Sequence, residues 1–284
     1  MRTAEIITKE KLESLYAFYN SRKWVHPDPL EFLYDYRDPK DREVAGLIAS
    51  SLAYGRVAQI LRSVSVVLEK MGPSPRGFLV SSTPSSLRRV FLDFKYRFTT
   101  GEELALMLMG AKSVINRFGS LYECFLSGFK DDDETVLTGL SYLVNELRTN
   151  SNGRSNSLLP FPEKGSACKR WNLFLRWMVR KDQVDPGGWE RISPARLIIP
   201  LDTHMHRICL SLKLTGRKNA DMRTAIEITS AFGKIVPEDP VRYDFALTRL
   251  GIRKDADLDA FLRREQNVSQ KRPDNPDQNE GETY

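Results

Sequence analysis

Apolar positions along the chain recur three and four residues apart, and sustained alternation with period two is absent, so the pattern predicts an all-α protein. Leu12, Leu15, Tyr16 and Tyr19 mark one face of a helix over 7–19. After His26-Pro27-Asp28-Pro29, the apolar Leu30, Phe32, Leu33 and Tyr36 predict a short helix closed by Asp38-Pro39. A long helical run over 41–71 buries Leu47, Ile48, Ser51 and Leu52, breaks at Tyr54-Gly55-Arg56 and stops at Gly72-Pro73.

Further along, Thr83-Pro84-Ser85 has the form of an N-cap with proline in the first turn, and predicts a helix over 82–96. Phe91, Phe94, Tyr96 and Phe98 form an aromatic patch expected to be core rather than a stacking platform. Thr100-Gly101-Glu102-Glu103 opens a helix to Phe118 whose buried face is Leu104, Leu108, Ala111 and Ile115. Another helix fits 120–129. The acidic run Asp131-Asp132-Asp133-Glu134 favours the start of the following helix, through Arg148, rather than a metal site. Helices are also predicted over 224–232 and 239–250, with Pro237 and Pro240 between them, and Arg242 and Asp244 expected at the surface or as caps. The polar loop 150–157 is the candidate boundary or lid. It divides the chain into an N-terminal helical region 1–150, a region 151–264 that carries the candidate chemistry, and a tail 265–284 whose Asn, Gln, Asp and Pro content predicts disorder.

Composition narrows the function class. With 41% hydrophobic and 28% charged residues among 284, the chain is globular, and no apolar run reaches the length of a bilayer span. The N-terminus lacks a signal-peptide core, so a cytoplasmic location is expected, nucleoid-associated when bound to DNA. Cys124, Cys168 and Cys209 are too far apart for a disulfide framework or a metal-cluster spacing and are expected as buried thiols. The net charge of +6 is unevenly spread: residues 160–218 hold twelve Lys or Arg against five Asp or Glu, which suits a polyanionic partner.

That basic stretch also holds the candidate site. Two prolines at 160 and 162 enforce an extended entry to Lys164-Gly165-Ser166-Ala167-Cys168-Lys169, a tight turn ahead of a helix. Trp171, Phe174, Leu175 and Met178 take the inner face of that helix, leaving Lys169, Arg170, Arg176 and Arg180 for its polar surface and first turn. A lysine at a helix start faces the positive end of the dipole, which favours a neutral, nucleophilic amine; a solvated lysine on a phosphate is the ordinary alternative. Asp202 stands where an N-cap belongs, ahead of Thr203-His204-Met205-His206-Arg207, and capping alone would account for it. His204 and His206, two apart on a helix, point in different directions and do not make a metal site with Asp202. Tyr54 and Arg56 are either helix-packing residues or the substrate side, since tyrosine stacks on bases and arginine holds phosphate.

Gly165-Ser166-Ala167-Cys168-Lys169 followed by a helix, then Ile199-Pro200-Leu201-Asp202-Thr203-His204 with Arg207, resembles the helix-hairpin-helix DNA glycosylase superfamily, whose pattern is Gly-x-Gly-x-Lys and later Val-Asp-Thr-His. The whole chain is similar to an uncharacterised conserved bacterial and archaeal family, and the distance from Lys169 to Asp202 resembles that in archaeal 8-oxoguanine DNA glycosylases. The resemblance implies an all-α glycosylase-like fold with two helical subdomains flanking a cleft. Lys169 would attack the sugar C1′ and Asp202 would assist departure of the base. Lys164, Gly165, Ser166, Ala167, Arg170, His204 and Arg207 would contact DNA. Tyr54, Arg56 and Trp171, with Trp24 or Trp177 as further aromatics, would form the substrate pocket. The implied partner is double-stranded DNA, with no cofactor and no metal; the iron–sulfur cysteines of other branches are absent. Two departures stand out: Ala167 replaces the second hairpin glycine, and Arg180–Leu197 lengthens the gap before Asp202. A non-catalytic helical module that holds nucleic acid is the competing expectation.

Overall fold

Side-chain caps start most of the helices. The computed structural model describes residues 8–149 and 155–252. Helix α1 (Lys9–Tyr19) begins at Thr8, whose hydroxyl accepts from Lys11 N. Asp28 caps a 3-10 turn over Pro29–Asp35, and Asp38 caps α2 (Pro39–Ser51). The break predicted at Tyr54-Gly55-Arg56 separates α2 from α3 (Val57–Met71); Gly55 holds φ +94°, a left-handed conformation that favours glycine.

Just after α4 (Pro75–Ser81), the single helix expected over 82–96 is instead α5 (Pro84–Val90) and the start of a small hairpin. Its strands, β1 (Lys95–Tyr96) and β2 (Thr99–Thr100), are each two residues long, and the sheet is antiparallel with Tyr96 opposite Thr99. The close approach of α6 (Gly101–Phe118) drives this change: a Cβ on Gly101 would lie 1.9 Å from Phe91 O. A capping box joins Thr100 and Glu103 at the start of α6. Phe91, Phe94 and Tyr96 are core as expected, whereas Phe98, at the hairpin tip, is 62% exposed.

Helices α7 (Leu121–Ser127) and α8 (Leu137–Leu147) pack on each other and on α6. A Cβ on Gly110 would lie 1.9 Å from Leu147 O, so α6 and α8 touch backbone to backbone. Asp133 of the acidic run accepts from Lys130 N and Thr138 Oγ1, which closes a local turn ahead of α8. Helices α9 (Lys169–Val179), α10 (Thr203–Ser211), α11 (Met222–Gly233) and α12 (Asp244–Ile252) follow within the described residues.

The apolar core is continuous across the boundary expected near 150. Helix α2 packs on α9, and α1 packs on α12. Glu43 of α2 lies wholly inside this packing, where Leu121 N, Tyr122 N and Trp189 Nε1 donate to its carboxylate at 2.8–3.2 Å. Burial pushes its carboxyl up to about 7, against the pull of those donors. The loop expected to act as boundary or lid lies partly outside the described residues. Its end is anchored: Asn156 Nδ2 donates to Glu103 O, and Ser157 N donates to Glu103 Oε1. The expected tail 265–284 also lies outside them. No described helix is long and apolar enough to cross a membrane, and no described cluster of His, Cys, Asp or Glu would hold a metal ion.

Candidate active site

The turn ahead of α9 takes its shape from two left-handed residues. Gly165 has φ +79°, and Cys168, the residue before α9, has φ +46°. Ala167 is not among the positive-φ residues, so a side chain is accepted at the second hairpin position. It is buried, and its carbonyl accepts from Asn172 Nδ2. The Ala167 side chain is therefore a packing element of the turn. Ser166 pairs with Asp221, and Gly165 O accepts from Met222 N, which pins the turn to the start of α11. Lys164, Gly165 and Ser166 remain exposed.

Lys169 Nζ lies 3.0 Å from Asp202 Oδ2. The two oxygens of Asp202 are used differently. Oδ1 accepts from the backbone N–H groups of His204 and Met205 at 2.9 and 2.8 Å, which caps α10; Oδ2 is left for the amine. Burial opposes ionisation of Asp202, but the Lys169 ammonium and the two backbone donors outweigh it and hold the carboxyl below its usual range. Each side chain is about one-third exposed, 35% for Lys169 and 34% for Asp202, so the pair meets solvent.

It meets solvent in a cleft of about 430 Å³, a volume within the usual range for a small-molecule site. Lys169, Leu173 and Arg176, at i, i+4 and i+7 on α9, line one wall. Trp24, Pro27 and Phe245 supply apolar surface, and Gly55, Pro200 and His204 contribute elsewhere. His204 Nε2 is enclosed and bonds to no described residue. The floor is charged: Arg176 pairs with Asp244, and Arg249 with Asp28 at 2.6 Å.

Arg176 and Arg180 do not lie on a polar surface. Both are buried, and Asp185 stands between them, paired with Arg176 Nη2 at 3.2 Å and with Arg180 Nη1. Arg180 also pairs with Asp182 and Asp239, each at 2.9 Å. Asp244, expected at the surface, is buried beneath the cleft, and burial pushes its carboxyl up to about 6 despite Arg176. The insertion Arg180–Leu197 thus supplies structural ion pairs, and Trp189 to the core, without separating Lys169 from Asp202.

Arg170 has partners within the protein. Its guanidinium donates to Ser51 O and Ser157 O, both at 2.6 Å, and lies 5.3 Å from the centre of the Tyr54 ring, so it ties α9 to the end of α2. Trp171 is 2% exposed and donates to Pro160 O; it is core, as is Trp177, and neither lines the cleft. Of the three tryptophans considered, Trp24 is the one on the cleft. Tyr54 stands beside it, its hydroxyl 2.6 Å from Thr99 Oγ1, while Arg56 at the start of α3 and Arg207 on α10 are exposed. His206 is turned away from the cleft, with Nε2 2.9 Å from Arg217 O. Sequence reasoning missed Leu173, Arg176, Asp28, Asp244, Phe245 and Arg249. The spacing Lys169-Leu173-Arg176 carried the only available signal for part of that set.

Residues 28–253 match the model of a family described as "Protein of unknown function (DUF2400)". No curated protein and no solved structure matches the chain.

Proposed function

Because this chain belongs to that family of unknown function, whose description names no activity, we propose from the site itself that it is a DNA base-excision glycosylase with Schiff-base lyase activity, of the helix-hairpin-helix type. The observation that supports this reading is the Lys169–Asp202 pair, 3.0 Å apart at the wall of a cleft that also offers Trp24 and Phe245 to a planar base. Chemistry on a base requires the nucleotide to leave the stack and enter such a pocket. The substrate is then double-stranded DNA bearing a damaged base such as 8-oxoguanine. Lys164, Gly165, Ser166, His204 and Arg207 are the residues around the site assigned to DNA.

In the proposed reaction, the ionised Asp202 stabilises positive charge on the sugar as the bond from C1′ to the base breaks. The base leaves with the bonding electrons and takes up a proton. Lys169 Nζ, freed of a proton, forms the new bond to C1′. Opening of the sugar ring gives a protonated Schiff base, and loss of a 2′ proton then expels the 3′ phosphate by β-elimination. Asp202 serves without moving, because its cap bonds through Oδ1 fix the direction of Oδ2.

Borohydride reduction tests this directly on duplexes carrying 8-oxoguanine, uracil or an abasic site. The wild-type chain is expected to give a covalent adduct and Lys169→Gln none. A chain that binds duplex DNA yet gives no Lys169-dependent adduct and releases no base from any of these duplexes is the non-catalytic nucleic-acid module instead.

A further inference from the structure

The hairpin tip lies next to the cleft and is used by neither the core nor the chemistry proposed above. Arg97 takes a left-handed conformation, φ +53°, which turns the chain within two residues and leaves Phe98 at the apex. Phe98 stacks on Tyr54, with ring centres 4.9 Å apart and planes inclined by 18°, and the rest of the phenyl surface is open. Tyr54 is held from behind its hydroxyl by Thr99 and by Tyr96 O at 3.2 Å. The tip also closes on Gly55, which lines the cleft: a Cβ built there would meet Arg97 Nη1 at 2.7 Å and Tyr96 Oη at 2.9 Å. An exposed phenylalanine on a braced support, with exposed Lys95, Arg97 and Arg56 close to it in the chain or across the hairpin, and with Glu103 tied to Thr100 at the hairpin's base, combines an aromatic face with positive charge.

Resting on the reading of the cleft as a pocket for an extruded nucleotide, we propose that Phe98 is the positioning residue that enters the duplex stack beside that nucleotide. An apolar side chain pushed between base steps offsets the loss of stacking that extrusion imposes, and arginine and lysine beside it hold the flanking phosphates. The ring on Tyr54 supplies the rigidity: an aromatic supported on a second aromatic enters the stack with little rotamer freedom left to lose. Phe98 therefore acts on opening the duplex and makes no bond to the reacting atoms.

The test uses the full chain and two duplexes of one sequence, one intact and one with a tetrahydrofuran abasic analogue beside 2-aminopurine. Wild type and Lys169→Gln are both expected to prefer the analogue-containing duplex and to change the 2-aminopurine fluorescence on binding. Phe98→Ala should lose about tenfold of that preference and the fluorescence change. Its slope of log affinity against log salt should match wild type, because the phosphate contacts are untouched. Phe98→Trp should keep the preference, and a thermal melt of Phe98→Ala should match wild type because the side chain is mostly in solvent. An unchanged preference in Phe98→Ala, or no preference in wild type, overturns the proposal. A Phe98-dependent preference in a protein that gives no borohydride adduct and releases no base leaves the wedge standing and removes the glycosylase reading.

Discussion

Helix α9 carries two sets of ion pairs, a lysine with an aspartate at one end and two arginines with aspartates at the other, and they have opposite characters. At its N-terminal end, Lys169 and Asp202 are each about one-third exposed, and one carboxylate oxygen faces the amine alone. At its C-terminal end, Arg176 and Arg180 are enclosed by Asp182, Asp185, Asp239 and Asp244. A buried, saturated network has no free valence to offer a substrate, and its worth lies in not being broken. A half-open pair with a spare oxygen at a cleft wall is available for chemistry. The difference teaches that an N-cap and a catalytic carboxylate need not compete: Asp202 caps α10 with Oδ1 and addresses Lys169 with Oδ2.

The sharpest way to break the comparison is to exchange the consequences of mutation at the two ends. At the open end, Lys169→Gln should lower the rate of adduct formation at an abasic site by about 10⁴ or more, as loss of a nucleophile does. Its unfolding midpoint in urea should stay near wild type. At the closed end, Arg180→Met leaves Asp185 without one of its two partners and should cost about 3–5 kcal/mol of stability, read from urea unfolding. Well below its melting temperature this variant should still form the adduct. If Arg180→Met abolished chemistry without loss of stability, the division between the two ends would be wrong.

Asp202→Asn separates the two oxygens. Asparagine caps helices about as well as aspartate, so stability should change by less than about 1 kcal/mol. Base release should fall by about 10²–10³, because the charge opposite the sugar is gone. Equal losses in both measurements would return Asp202 to a purely capping role.

The smallest effect concerns Glu43, buried and titratable but a member of neither set. Its carboxyl sits at about 7 in the folded chain against about 4.3 for an unperturbed glutamate, so the folded state retains a proton that the unfolded state has released in between. Stability should therefore fall as pH rises from about 4.3 through 7 and level off above. Glu43→Gln cannot titrate and should flatten that part of the curve in urea unfolding at pH 5, 6, 7 and 8. An unchanged slope would assign the trend to other groups, with Asp244 the next to examine.

Local rules in the sequence were a reliable guide wherever the cause was local. The break at Gly55, the Thr100–Glu103 capping box, the apolar face of α9 and the cap at Asp202 all follow from residues within four positions of one another. The hairpin at 95–100 did not follow, because two-residue strands leave no periodicity to detect and their position depends on Phe91 meeting Gly101. Arg176 and Arg180 were misplaced for a related reason. Of their partners, Asp239 and Asp244 lie 59 and 68 residues away along the chain, and an arginine on a helix reads as solvated until the fold brings such partners to it. Part of the basic excess over 160–218 is likewise internal, since Arg170, Arg176 and Arg180 have partners within the protein.

By itself, then, the sequence determined the helical class, the order and caps of most helices, and the candidacy of Lys169 and Asp202. Those depend on backbone preference and short-range hydrogen bonding, which are written in neighbouring residues. Only the tertiary structure decided that Lys169 and Asp202 meet across an insertion, that the cleft has a charged floor and a single tryptophan at its wall, and that Phe98 stands outside the core. These are consequences of which helices pack together, and burial, the term that converts an ordinary charge into a structural or a reactive one, exists only once they have.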